Sequence, residues 1–247
     1  MNKFLLFLIL ILLVLDSKGQ NHKLFSQKNT EIGVSFSPDY SGWLLHQPHS
    51  DSSEFIGMTE KYSFNKNYYG YTGGINFIQK INNSLSVESG ILYSKKGEIV
   101  TLEERNIHPR YGYIYGEGYG FPYSEETTYK YHYLNVPLKL NYYFLNRKFS
   151  AFVSGGLSGD VFLNQINSMK LVNEDGSIEN KDEKEKTLTR ISLTSLIGFG
   201  IHYKITDMLS FRFEPILRYT INKLGDKKVN PYSIGTNIGI FYQIKNK

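Results

Sequence analysis

The chain of 247 residues contains no cysteine and a single tryptophan. Without cysteine it can carry neither a disulfide framework nor a lipid-attachment cysteine, so stability has to come from strand pairing and packing. Beyond Leu15 no stretch approaches the roughly 20 apolar residues of a membrane-spanning helix. The formal charge of +5 is modest and dispersed, with no basic run of the kind that tracks phosphates, so nucleic acid is excluded as a partner. There is no G-x-S-x-G elbow and no phosphate-cradling loop. His46 and His49 form an isolated H-x-x-H in a polar loop, lacking the carboxylate and helical context of a zinc site, so neither metal nor cofactor is expected.

What the chain does contain begins with an address. Lys3 supplies a positive start, Phe4 to Leu15 are continuously apolar, and Ser17-Lys18-Gly19 resembles a cleavage site. Residues 1–19 are therefore expected to be a removed signal peptide, with Gln20 as the new N-terminus and 20–247 as one β-barrel domain.

Between Leu134 and Phe144 the even positions Leu134, Val136, Leu138, Leu140, Tyr142 and Phe144 are apolar, while Asn135, Lys139 and Asn141 fall on the opposite side of an extended strand. The same alternation recurs. It predicts eight strands: about 31–37, 69–79, 85–93, 134–144, 149–164, 191–205, 209–221 and 234–244. Short connections follow the second, fourth and sixth at Ile81 to Ser84, Asn146 to Lys148 and Thr206-Asp207. Long polar stretches around 38–68, 95–129, 165–187 and 223–231 follow the others, and 179–186 reads as a solvated loop tip.

Alternating connection length and even strand count describe an all-β fold, an eight-stranded antiparallel up-and-down transmembrane β-barrel in a cell outer membrane. Only alternate residues meet lipid in such a barrel, so a weak hydropathy signal is expected. Tyr69, Tyr71, Tyr93, Tyr131, Tyr133, Phe162, Tyr219 and Tyr232 are expected to form an outer interfacial girdle, and Phe77, Tyr142, Phe144, Phe149, Tyr203, Phe211 and Tyr242 an inner one. Pro137 and Pro215 lie within strands and remove ladder donors, which predicts a bulge or bend at each.

The faces opposite the apolar rows carry Glu88, Lys139, Asn141, Arg190, His202, Lys204, Arg212, Glu214, Arg218, Asn237 and Gln243. Eight strands leave an interior that side chains just fill, so paired charges plugging the lumen are expected, with a small-anion path as the alternative. The basic residues outnumber Glu88 and Glu214, so some must reach water or a counter-ion. Within the second long connection, over 111–123, Tyr111, Tyr113, Tyr115, Tyr119, Phe121 and Tyr123 alternate with glycine-rich neighbours. These rings suit either an adaptable recognition surface or a loop in which they pack on one another.

At Tyr133-Leu134-Asn135-Val136-Pro137-Leu138, followed by Phe152-Val153-Ser154-Gly155-Gly156-Leu157, the chain resembles the PorT-like outer-membrane β-barrel family. Asn237-Ile238-Gly239-Ile240-Phe241-Tyr242-Gln243-Ile244 resembles a last-strand signal read by barrel assembly machinery, with Lys245-Asn246-Lys247 extending past the usual end. The resemblance implies a Gram-negative outer membrane, a possible link to protein secretion, and no catalytic residues. Expected partners are outer-membrane lipid and lipopolysaccharide, the assembly machinery, and a protein or glycan at the external loops. The function expected is non-enzymatic, structural or partner-binding. The alternatives are an outer-membrane lipid-modifying enzyme using groups such as Ser192, His202 and Glu214, and a soluble lipocalin-like barrel with its apolar rows inside.

Overall fold

The computed structural model describes residues 29–45, 59–106, 124–144, 148–172, 176–185, 191–222 and 229–245. The expected signal peptide, His46, His49, Arg190 and the aromatic run 111–123 lie outside them. Nine strands are present among the described residues: β1 (Asn29–Leu45), β2 (Thr59–Lys80), β3 (Leu85–Asn106), β4 (Ser124–Tyr143), β5 (Phe149–Val172), β6 (Ile178–Glu185), β7 (Ile191–Lys204), β8 (Leu209–Thr220) and β9 (Val229–Lys245). Every pairing is antiparallel, and β1-β2-β3-β4-β5-β7-β8-β9 returns to β1, so eight strands form an up-and-down ring. A ring leaves no sheet edge whose peptide groups would go unpaired in hydrocarbon.

β6 is the ninth strand and stands outside the ring. It pairs only with Gln165–Val172 of β5, beyond the point where β7 leaves that strand at Ile191. Residues 179–185 therefore are not a loop tip but half of a raised hairpin. Its side chains Glu179, Asn180, Lys181, Asp182 and Lys184 are exposed, and charged side chains are how an unpaired edge avoids recruiting another strand. On this arm Lys181 donates to Glu183 at 2.8 Å, and the bond and the charge together hold its ammonium above the ordinary lysine range.

The other long connections are likewise shorter than the sequence pattern suggests. β2, β3, β4 and β5 run 22, 22, 20 and 24 residues, against 14 and 12 for β7 and β8. Hydrophobic alternation stops where lipid stops, but backbone pairing continues, so a period-two test finds only the lower part of each strand. One side of the barrel is thus a tall wall and the other a low one.

At the end with short connections, Asn82 Oδ1 accepts from the backbone of Ser84 and Leu85, both at 2.8 Å. Thr206 Oγ1 does the same for Met208 and Leu209 at 3.2 and 3.0 Å. These side-chain acceptors satisfy donors that a tight turn leaves free, which is why Asn and Thr occupy those positions.

No bulge occurs at the prolines. The β3–β4 register is the same on both sides of Pro137 (Ser89↔Leu138, Leu92↔Asn135), and the β7–β8 register the same on both sides of Pro215 (Gly198↔Ile216, Ile201↔Phe213). Each proline costs a short interruption of the ladder and leaves the register intact. At Pro137 the Ser89 hydroxyl donates to the proline carbonyl at 2.8 Å. The bulges fall instead at Asn67/Tyr71 and His132/Tyr133, where the strands pass from the apolar band into the raised wall.

Side-chain orientation is decided by burial. Val34, Ile75, Ile91, Leu140, Leu157, Ile197, Phe199, Leu217 and Ile240 are exposed, whereas Glu88, Lys139, Arg212 and Glu214 are at most 3 % exposed. A continuous apolar belt of this kind far exceeds the patches that water-soluble monomers show, and acyl chains are the environment that suits it. The lipocalin-like arrangement, with apolar rows enclosed, is the inverse of what is observed.

Both ends of the belt carry aromatic rings. At the turn end Phe77, Tyr142, Phe144, Phe149, Tyr203 and Tyr242 are exposed. At the loop end ring contacts join four strands, β1 to β4: Phe36–Tyr71 at 5.9 Å, Tyr40–Tyr69 at 5.1 Å, Tyr71–Tyr93 at 6.1 Å and Tyr93–His132 at 5.9 Å. Tyr131, Tyr133 and Phe162 are not part of this girdle. They point inward, 4, 5 and 8 % exposed, and pack together as an internal apolar cluster near the loop end.

Candidate functional site: the charged lumen

The lumen holds most of the buried polar groups of the barrel, and its floor is an ionic network of four residues contributed by three strands. Glu88 of β3, Lys139 of β4, and Arg212 and Glu214 of β8 all occupy inward positions of the pleat. Lys139 Nζ lies 2.9 Å from Glu88 Oε1 and 2.9 Å from Glu214 Oε2. Arg212 Nη1 donates to Glu88 Oε2 at 2.7 Å, and Nη2 donates to Asn141 Oδ1 at 3.0 Å. Its guanidinium also lies over the Phe152 ring, 3.9 Å from the centroid. Two cations and two carboxylates alternate, so each charge removed from water has an opposite neighbour.

Neutral donors complete the carboxylates. Ser154 and Asn237 donate to Glu214 at 2.5 and 3.3 Å, and Asn76 and Asn141 to Glu88, each at 3.2 Å. Fitting an arginine and two large rings into so narrow a space needs glycine on facing strands. A Cβ on Gly33 would stand 2.5 Å from the Phe241 ring, and one on Gly200 would stand 2.7 Å from the Phe152 ring.

Toward the turn end, Glu31 pairs with Lys80 at 2.9 Å and faces His202 Nε2 at 3.6 Å. Toward the loop end, Arg218 donates to Asp39 at 2.7 Å, with Ser37 and Thr72 also donating to that carboxylate at 2.7 and 2.5 Å. Asp160 accepts from Ser158 and Thr194 at 2.5 and 2.6 Å and lies 3.9 Å from Lys96. Above these, Tyr131 donates to Glu98 at 3.2 Å.

The apparent surplus of cations thus resolves through carboxylates that the alternation did not single out. Glu31, Asp39, Glu98 and Asp160 all point inward. Glu31 was legible, because it alternates with Ile32 and Val34. Asp160 was legible in the same way, opposite the outward Leu157 and Leu163, whereas Asp39, beside Pro38, lies past the end of the marked apolar row of its strand. Of the residues singled out from sequence, Glu88, Lys139, Arg212, Glu214 and Arg218 come together in the lumen. Lys204 sits half-buried at the turn-end rim, with its backbone N–H donating to Lys148 O at 2.9 Å.

Among the described residues, two small cavities interrupt the filling. Each is about 20 Å³ and both are bordered by Lys96 and Asp160; one reaches down to Lys139 and Asn237, the other up to Tyr131 and Tyr133. A volume of that size holds about one water, which makes the lumen a plugged one.

Ser192, His202 and Glu214 do not converge. Ser192 and His202 lie on the same strand, ten residues apart, which is roughly 33 Å of extended chain. Among the described residues no group of His, Asp and Glu is placed to hold a metal ion.

The sequence model of the outer membrane protein beta-barrel domain matches residues 20–247. No curated protein gives a significant match. Among solved structures, the outer membrane protein OprG from Pseudomonas aeruginosa is similar at 11 % identity and TM-score 0.45, covering 90 % of this chain and 98 % of that one. Neisserial surface protein A matches at 13 % identity and TM-score 0.41, covering 85 % and 96 %. The attachment invasion locus protein Ail of Yersinia pestis matches at 12 % identity and TM-score 0.38, covering 89 % and 100 %. At these values nothing about activity or partner transfers.

Proposed function

The chain belongs to the outer membrane protein beta-barrel domain family and resides in the outer membrane, and from that premise we propose that it is a non-enzymatic barrel presenting an external partner-binding wall. The single observation that carries this reading is the extension of β2 to β5 past the aromatic girdle, while β7 and β8 stop at it. Outer-membrane barrels place their short turns in the periplasm and their long connections outside, so the wall projects from the cell surface. It would raise the connection containing Tyr111, Tyr113, Tyr115, Tyr119, Phe121 and Tyr123 toward a protein or glycan partner.

The lumen charges Glu88, Lys139, Arg212, Glu214 and Arg218 serve structure in this reading rather than anion transport, because each is engaged by an opposite charge. The PorT-like text on β4 and β5 supports a role beside a protein secretion system. Outer-leaflet lipid surrounds the belt, and the β9 signal suits recognition by barrel assembly machinery.

The test is removal of residues 111–123 with a short glycine linker. The shortened chain is expected to remain in the outer-membrane fraction with heat-modifiable gel migration, while surface cross-linking to its partner and any secretion dependence disappear. Unchanged cross-linking and secretion would reject the external-loop role. Replacement of His202 by Gln is expected to leave outer-membrane lipid composition unchanged; altered acyl or headgroup chemistry would restore the enzymatic alternative.

A further inference from the structure

The tall wall carries lysines on its outer face at the level where the lipid belt ends. Lys95 lies directly opposite Tyr71, a lipid-facing girdle residue, and opposed residues of an antiparallel pair share a face. It is the next outward position after Tyr93, and its ammonium lies 5.8 Å from the Tyr68 ring centroid. Lys130 is the next outward position after His132, with Nζ donating to Ser168 at 2.8 Å. Lys66 is opposite Ile99, two residues further up the same face, and 61 % exposed. Lys170 and Lys184 continue the row on β5 and β6, opposite Glu126 and Ile166.

Among the described side chains, the acidic groups on this face are Glu126, 3.9 Å from Lys66, and Asp182, opposite Ser168. Glu98 points into the lumen instead. Among the described side chains, five lysines face two carboxylates, which makes this band of the wall just above the girdle cationic. Across the barrel the corresponding outward positions are Tyr40, Tyr219, Asn230 and Tyr232, and no charged side chain occupies them among the described residues.

We propose that Lys66, Lys95 and Lys130, extended by Lys170 and Lys184, form a headgroup site for a phosphorylated glycolipid of the outer leaflet. The site deepens the expected lipid contact and rests on the membrane placement of the barrel. Its occupant follows from position. The lysines stand one to three outward residues past the last girdle ring, so a lipid with its acyl chains on the apolar belt places its headgroup phosphates among them. Long ammonium side chains reach such phosphates while their stems lie along the aromatic rings. Confinement to one wall predicts an annulus of bound lipid that is asymmetric around the barrel.

The full mature chain, folded into phosphatidylcholine nanodiscs containing either diphosphoryl lipid A or chemically dephosphorylated lipid A, provides the test by quantifying co-purified glycolipid. Retention of the diphosphoryl form is expected to be about tenfold higher, given the attraction that each surface lysine contributes near anionic headgroups. The K66Q/K95Q/K130Q variant should lose that preference, and K66R/K95R/K130R should keep it. Equal retention of the two lipids by the wild type, or a preference that survives in the glutamine variant, would overturn the site while leaving the barrel in its membrane. A chain that fails to enter nanodiscs and remains in aqueous buffer would overturn the membrane placement and this site with it. Heat-modifiable migration of each variant verifies folding, and the wild-type comparison needs no variant at all.

Discussion

Arg212 and Arg218 stand six residues apart on the same face of β8, both buried and each 2.7 Å from a carboxylate, yet they occupy different electrostatic settings. Arg212 bridges toward two carboxylates, bonds Asn141 and covers the Phe152 ring. Arg218 has one carboxylate and borders a small cavity. The difference shows that a plugged barrel need not be plugged uniformly. The floor near the periplasm is cross-linked between strands, and the upper lumen is a set of separate pairs with room for water between them.

Breaking the floor should therefore have the largest effect. Arg212→Met is expected to cost about 3–5 kcal/mol, because Glu88 loses its strongest partner inside a dry network. Urea unfolding of the vesicle-folded barrel, followed by loss of heat-modifiable migration, measures this. A cost under about 1 kcal/mol would show that water reaches the floor freely.

Lys139→Met should follow at about 3 kcal/mol, since Arg212 remains to serve both carboxylates. Adding Glu214→Gln to that variant is expected to recover part of the loss. Strict additivity in the same unfolding assay would mean that the two groups are not coupled.

Arg218→Ala should cost less, about 1–2 kcal/mol, because the adjoining cavity admits water to the Asp39 carboxylate, which also keeps two hydroxyl donors. If the Arg218 variant proves as unstable as the Arg212 variant, the contrast between floor and upper lumen fails. The smallest effect belongs to the raised arm. Lys181→Gln removes a solvent-screened pair and should leave the unfolding transition unchanged within the scatter of the same assay.

The same strands show which features were legible beforehand. The lipid-facing rows of β4, β7 and β8 could be read residue by residue, because alternation of Leu, Ile and Phe with polar partners has a period that only an extended chain produces. The raised wall could not, since β2, β3 and β5 lose that alternation once neither face meets acyl chains. β6 is the extreme case, with a sequence of Glu, Lys, Asp and Asn that is shaped by solvent and held extended only through its pairing to β5.

Tyr131, Tyr133 and Phe162 illustrate a second kind of loss. An aromatic residue suits an interfacial belt and a lumen plug equally, so residue type alone did not fix their face. The parity of β4 counted from Leu134 carried the needed signal for the two tyrosines. For Phe162, the alternation from Phe152 through Ser154, Ser158 and Asp160 carried it.

Sequence by itself determined the barrel class, the strand parity, the outward apolar rows and most of the inward charges, because each follows from spacing along one strand. Tertiary structure decided which charges pair. Glu88 with Arg212 and Asp39 with Arg218 are 124 and 179 residues apart, and such partners are set by ring closure and strand register. It also decided the height of each wall, because hydrogen bonding between backbones continues wherever a neighbouring strand is present, whatever side chains the strand displays.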